Sequence, residues 1–341
     1  MDLNGIINGV GTVLTPIKWV IEAILVGFHW FFTNVFHMDA NAGITWVLSI
    51  VGLTVIVRAA LIPIFVRQIK SQRKMMEIAP QLKKIQDKYR GKRDQFSREA
   101  MQRETMEMYK KAGTNPLASC LPLLIQMPVF FSLLPTLNEA KPDAQGHFHA
   151  GVGLFNIDLV KSFYNANLFG IAPLKDSIQT AWGHEWAVVA IAAVIVVLMT
   201  GSQFFTQLQL VSKNMSPETK ASPMYRQQRM LLYVLPVIFI FSGFAFPIGA
   251  MFYWLTSNVW TLVQQFLVIR NLPTPGSEAA LAREARLAKR ARARSLARGE
   301  DPDAPLASLN PATEGPSIEV KRENLQRQQP VSKNRKKKGS R

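Results

Sequence analysis

Trp46–Val66 (WVLSIVGLTVIVRAALIPIFV) is apolar over a length that crosses a bilayer, and it carries one charge, Arg58, near its middle. From Arg58 to the next cation, Arg67, is nine residues, or roughly 13 Å of helix. That is deeper than an arginine close to a helix end snorkels. A guanidinium at mid-membrane costs about 2.5–3.5 kcal/mol on insertion scales, so it faces a partner or water. None of the other candidate spans contains Asp or Glu. The least costly solution is a hydrated cavity within the membrane. The competing one is a bond to backbone carbonyls at a kink, which Pro63 invites because it lacks an N–H and crowds the carbonyl of Ala59.

The mean hydropathy of +0.07 averages two unlike parts, apolar spans and strongly polar segments. The apolar zones are Trp46–Val66, Pro116–Leu137, Ala187–Val211 and Leu231–Ile269. The last is too long for one span and contains Phe246-Pro247-Ile248-Gly249, a tight turn. It divides into Leu231–Phe246 and Ile248–Ile269, which makes five spans. The fourth is only about 24 Å long as a helix, against a hydrocarbon core of about 30 Å, and short spans thin the local bilayer.

Orientation follows the Lys and Arg count. Arg67–Thr114 holds 14 basic and 6 acidic residues, Asn138–Ala187 holds 3 and 5, Ser212–Arg229 holds 4 and 1, and Asn271–Arg341 holds 16 and 8. The basic segments alternate, so the amino end is expected outside a plasma membrane and the carboxyl tail in the cytoplasm. Residues 1–45 form an outer segment with no cleaved signal expected. Its stretch 17–36 places Lys18, Glu22, His29 and Thr33 on one stripe, which suits an amphipathic helix on the outer surface. A sixth span is the open alternative. Residues 67–114 read as a cytoplasmic helical hairpin turning at Tyr89-Arg90-Gly91-Lys92, residues 138–187 as an outer loop, and 270–341 as a disordered basic tail. The fold class is thus an all-α membrane protein, a five-span helical bundle with these additions.

Five methionines lie in the hairpin, Met75, Met76, Met101, Met106 and Met108, and Met215 and Met224 in the other cytoplasmic loop. Methionine surfaces adapt to varied apolar partners, although Met is also simply a good helix former. The single cysteine, Cys120, sits in an apolar span, where a reactive thiol is not expected. No cofactor, metal or enzymatic chemistry is expected.

The hydrophilic residues inside the other spans are Gln126, Gln203, Thr206, Gln207, Thr256, Ser257, Asn258, Gln264 and Gln265, none of which titrates near neutral pH. A proton-coupled transporter would show Asp, Glu or His there. Arg58 with uncharged amides instead makes a positively biased polar surface that hydrates a passing polar segment without capturing it. Ordinary interhelical hydrogen bonding, about 0.6 kcal/mol each, is the other reading of those amides. The tail attracts polyanions, ribosomal RNA or anionic lipid, by counterion release. It lacks interleaved aromatic residues, so base-specific recognition is not expected.

The stretches GLTVIVRAALIPIFVRQIKSQRKM, APQLKKIQDKYR, NPLASCLPLLIQMPVFFSLL and FYWLTSNVWTLVQQFLV together resemble the YidC family of membrane-protein insertases. NANLFGIAPL (Asn165–Leu174) looks like its actinobacterial branch. The resemblance covers about Trp46–Ile269. It implies five spans around a groove open to cytoplasm and lipid, with Arg58 as the groove arginine and Gln203 and Trp254 as matches to other groove residues. Gln126, Gln207, Ser257 and Asn258 are added as groove candidates, and the hairpin becomes the element that receives substrate. The implied function is that of an insertase and folding chaperone. Its partners would be nascent membrane proteins, the bilayer, the ribosome, the signal recognition pathway and the Sec translocon. The large periplasmic domain of Gram-negative members and the lipoprotein cysteine of many Gram-positive members are both missing. Two other functions stay open: a small-anion channel or transporter with Arg58 as selectivity element, and a membrane anchor whose tail binds RNA.

Overall fold

The computed structural model describes residues 3–92, 94–115, 121–215, 220 and 223–298. Cys120 and most of the basic tail lie outside the described residues, as does the side chain of Met224. The described chain is helical apart from one small hairpin: α1 (Leu3–Asn34), α2 (Gly43–Ala60), α3 (Ile62–Lys88), α4 (Gln95–Lys111), α5 (Leu121–Asn138), α6 (Ile157–Asn165), β1 (Asn167–Leu168), β2 (Ala172–Pro173), α7 (Ile178–Ala181), α8 (Trp186–Lys213), α9 (Pro223–Ala245), α10 (Ile248–Asn271) and α11 (Glu278–Arg298). The chain divides into two units, Met1–Glu284 and Ala285–Arg341. The second is described only over 285–298, the basic remainder of α11.

Helix breaks fall where backbone chemistry demands them. The stretch Trp46–Val66 is not one helix: α2 stops at Ala60, Leu61 forms a turn, and 62–66 begin α3, which runs on into the helical hairpin with α4. Pro63, in the first turn of α3, cannot donate to Ala59, so the two helices meet at an angle-absorbing joint. Phe246 and Pro247 separate α9 from α10. The first amides of α10 find partners in the outer loop, Ile248 N–H on the Asp176 carbonyl (2.9 Å) and Gly249 N–H on the Leu174 carbonyl (2.9 Å). In α9 the apolar part, Leu232–Ala245, is shorter than the helix, which starts at Pro223.

α8 packs lengthwise on both α9 and α10, α10 on α2, α2 on α1, and α1 on α5. α5 meets α10 and α3 at few points. The bundle is therefore an open row in which, among the described residues, α5 is packed firmly on α1 and only sparsely on α10 and α3.

α1 is much longer than 17–36, and its polar stripe does not face water. Glu22 is fully buried, accepting from the Gly153 N–H (2.7 Å), the Val152 N–H (3.2 Å) and the Thr136 hydroxyl (3.5 Å). Lys18 pairs with Glu139 at 2.7 Å. His29 stacks on Trp46 at 4.1 Å, with Nε2 3.0 Å from the Ala40 carbonyl. The outer loop covers the stripe, while Trp19, Val20, Trp30 and Phe31 are exposed. An apolar cap forms around the fully buried Trp46, which meets Phe155 and Phe163 edge-on and donates to Ser162 Oγ at 3.1 Å.

On the opposite end, α3 and α4 form the hairpin. Asp94 caps α4 by accepting from Ser97 N–H (2.8 Å), and Glu104 accepts from Lys88 and from the Tyr89 hydroxyl (2.9 Å). Ser71 and Thr114 join its base at 3.0 Å.

Candidate functional site

Arg58 lies two residues before the end of α2, beside the joint at Leu61 and toward the end of the row from which the α3–α4 hairpin extends. It is half-buried. Its guanidinium donates to Ser257 Oγ on α10 and lies 5.5 Å from the centre of the Phe65 ring on α3. No carboxylate pairs with it among the described residues. With one neutral hydroxyl and one aromatic face as its partners among the described residues, this permanent cation keeps further N–H donors for water or a passing polar group.

One turn outward along α10, Tyr253 accepts from the Gln126 amide of α5. This bond reaches across the sparse α5–α10 contact. At the same level Trp254 sits among aromatic rings from other elements: Phe130 on α5 at 4.7 Å, Phe246 at 5.3 Å and Phe239 on α9 at 5.4 Å. Trp254 thus packs in an apolar plug outward of Arg58 rather than offering a polar wall.

The structure brings together Arg58, Ser257 and, one turn away, Gln126, and it places Asn258 elsewhere. Asn258 is buried, and its amide donates to the Met199 carbonyl of α8 at 3.3 Å, so it is an interhelical tie. Gln203 and Gln207 are half-buried on α8, and no hydrogen bond joins them to Arg58 among the described residues. Thr206 is buried and bonded back to the Ser202 carbonyl at 2.8 Å. Gln264 accepts from Trp260 on its own helix at 3.0 Å. Tyr253, Phe65 and Phe130 were missed by sequence reasoning. Phe65 reaches Arg58 across the break between α2 and α3, which helical periodicity through Leu61 does not describe.

The hairpin methionines do not form one open surface. Met75 and Met76 are buried with Ile78, Ala79 and Leu82, and Met76 sulfur accepts from Thr274 Oγ1 at 3.4 Å. Met101 and Met108 are half-buried and Met106 is exposed. Met215 is buried beside Asn214, whose Oδ1 accepts from the Thr274 N–H at 3.0 Å. Apolar burial of α3's inner face is what holds the hairpin, so Met75 and Met76 are spent on packing. A cavity of about 300 Å³ lies at the outer end, lined by Lys18, Thr136, Glu139, Asp143, His149 and Phe155. It is separate from Arg58.

The family model described as "60Kd inner membrane protein" matches residues 28–275. A protein from Tropheryma whipplei is 40% identical over 291 residues, covering 83% of this chain and 92% of its own length. One from Streptomyces avermitilis is 43% identical over 281 residues, 80% of this chain and 61% of its own. One from Bifidobacterium longum is 38% identical over 325 residues, 95% of each. All three carry the name "Membrane protein insertase YidC".

Proposed function

Because the chain belongs to the YidC family of membrane-protein insertases, we propose that Arg58 keeps a solvated recess inside the bilayer through which polar segments of substrates pass. The protein is a multi-pass membrane insertase, not an enzyme, and its partners are nascent membrane proteins and the lipid bilayer. All three relatives carry the insertase name, which leaves a small-anion channel without support.

The observation that carries the recess is the Arg58–Ser257 pairing: a cation in the membrane row answered by a hydroxyl and not by a carboxylate. The sparse packing of α5 against α10 and α3 supplies the lateral opening. Gln126, Gln203, Gln207 and Ser257 are its polar lining, and the Trp254–Phe130 ring cluster is its outward stop. The groove is thereby wet on the cytoplasmic side, where Arg58 is close to the hairpin, and dry outward.

The amino end lies outside and the carboxyl tail in the cytoplasm, from the alternation of basic segments. α1 crosses the outer surface from α5 to α2. Thr136 is ten residues or about 15 Å beyond Gln126 along α5, and Trp46 twelve residues or about 18 Å beyond Arg58 along α2. α1 touches the two helices through Glu22 at Thr136 and His29 at Trp46, with Phe28 against Gly52 further along α2, and the contacts at the outer ends support an interfacial course over a spanning one. The exposed Met106 face of the hairpin takes part in receiving substrate. The basic tail meets ribosomal RNA, and delivery uses the signal recognition pathway and the Sec translocon.

Crosslinking an arrested nascent membrane protein to photoreactive probes at positions 58, 203 and 254 tests the path. Adducts at 58 and 203 are expected. Adducts confined to lipid-facing controls, with none at 58, would overturn it.

A further inference from the structure

The hairpin β1–β2 is displayed at the outer end of the bundle in a way that the insertion groove does not explain. Its base is held tightly. Asn167 bridges Ala42 at the start of α2, so close that a Cβ on Gly43 would lie 2.5 Å from Asn167 backbone atoms. The Leu174 carbonyl takes the Gly249 N–H at the start of α10, and β2 packs on α8. Leu168, Ala172 and Leu174 are buried.

The tip is the reverse. Phe169 is 76% exposed and Ile171 56% exposed, although both are apolar. Phe169 and Gly170 have φ of 54° and 74°, and Ile171 N–H closes the turn on the Leu168 carbonyl at 3.1 Å. A turn with two positive φ values is ordinarily filled by Asn-Gly, and a bulky side chain there is disfavoured. The fold therefore holds a strained phenylalanine away from its own core.

The level of the tip identifies what meets it. The hairpin base meets the starts of α2 and α10 and packs on α8, and the starts of α2 and α10 are the ends at which those helices leave the hydrocarbon. Trp182 and Trp186, the latter the first residue of α8, are both exposed there with rings 5.7 Å apart. Tryptophans at helix ends mark the boundary between headgroups and acyl chains. We infer that Phe169 and Ile171 dip into the outer-leaflet interfacial layer, so that the hairpin anchors the outer cap, and with it the outer ends of α2 and α10, to lipid. Asn165–Leu174 then has a physical role of its own: a rigid wedge with an apolar tip.

The test places an environment-sensitive fluorophore on F169C in a Cys120→Ala background, with the full chain in vesicles of phosphatidylethanolamine and phosphatidylglycerol. I171C carries a second label in case F169C does not fold. Gln145, exposed in the outer loop, is the aqueous reference, and Val197, exposed on α8, the lipid reference. Expected are a blue-shifted emission, quenching by lipids spin-labelled near the headgroup, and iodide quenching at least about threefold weaker than at 145, for a tip about 5–10 Å into the interface. Full iodide access with no lipid quenching overturns the proposal. So does shielding from both quenchers, which would mean a protein occupant or a second copy. Insertion of a test substrate is assayed in the same vesicles. The depth reading is independent of whether Arg58 is hydrated, so the two proposals fail separately.

Discussion

Arg58 and Ser257 are 199 residues apart, and their meeting decides what the guanidinium does. Replacing Arg58 by Ala is expected to lower insertion of substrates with acidic outer tails, and Arg58→Lys to be better tolerated because it keeps the charge. Protease protection of inserted tails in proteoliposomes reads this out, and equal activity of Arg58→Ala on acidic tails would remove the electrostatic role. Ser257→Ala leaves the charge but frees its position, so a smaller loss than Arg58→Ala is expected in the same assay. Tyr253→Phe keeps the ring and removes the oxygen that Gln126 reaches. A net hydrogen bond contributes about 1 kcal/mol, so a drop of a few degrees in the unfolding midpoint in detergent is expected.

At the level of elements, the joint between α2 and α3 sets where Arg58 points and where the hairpin hangs. Pro63→Ala restores a donor to the Ala59 carbonyl, so α2 and α3 are expected to fuse into one straighter helix. Amide exchange over 60–64 would slow and insertion would fall, and unchanged exchange would show that the break has another cause. The hairpin itself carries a pH-dependent tie. Glu104 is held below its ordinary pKa of 4.5 because Lys88 and the Tyr89 hydroxyl donate to it. A depressed carboxylate adds stability above its unfolded pKa and loses it as pH falls through the folded value. Protection of the amides in the tip of α3 and α4, exchange being corrected for its intrinsic pH dependence, is therefore expected to be constant above the ordinary glutamate range and to fall as pH drops below it. Glu104→Gln should abolish that acid step.

For the whole molecule, the proposed orientation rests on the alternation of basic segments and the proposed long-range attraction on the tail. Deleting 299–341, which contains KNRKKKGSR, is expected to weaken co-sedimentation with ribosomes and to flatten its dependence on salt. Insertion of substrates delivered after release from the ribosome should persist. If the deletion abolished all insertion, the tail and not the bundle would be the working part. The open row of helices is the larger-scale counterpart of Arg58: α5 is bonded firmly to α1 at the outer end and only lightly to α10. A bundle closed on all sides would leave the arginine nowhere to find water.

Hydrophobic runs, basic loops, Pro63, Phe246-Pro247 and the unbalanced Arg58 were legible in the linear chain, because membrane solvation and local backbone sterics act on neighbours in sequence. The family motifs were legible for the same reason. What the linear chain left undecided was lateral. It placed Asn258 in the groove, but packing against α8 claims it. It turned Glu22 and His29 toward water, but the outer loop covers them. It left Met75 and Met76 open between a substrate-receiving surface and ordinary helix packing, and they line the buried inner face of α3. Tertiary structure settled these because a helix stripe says which residues share a face, and only the neighbour that packs there determines whether that face meets protein, lipid or solvent.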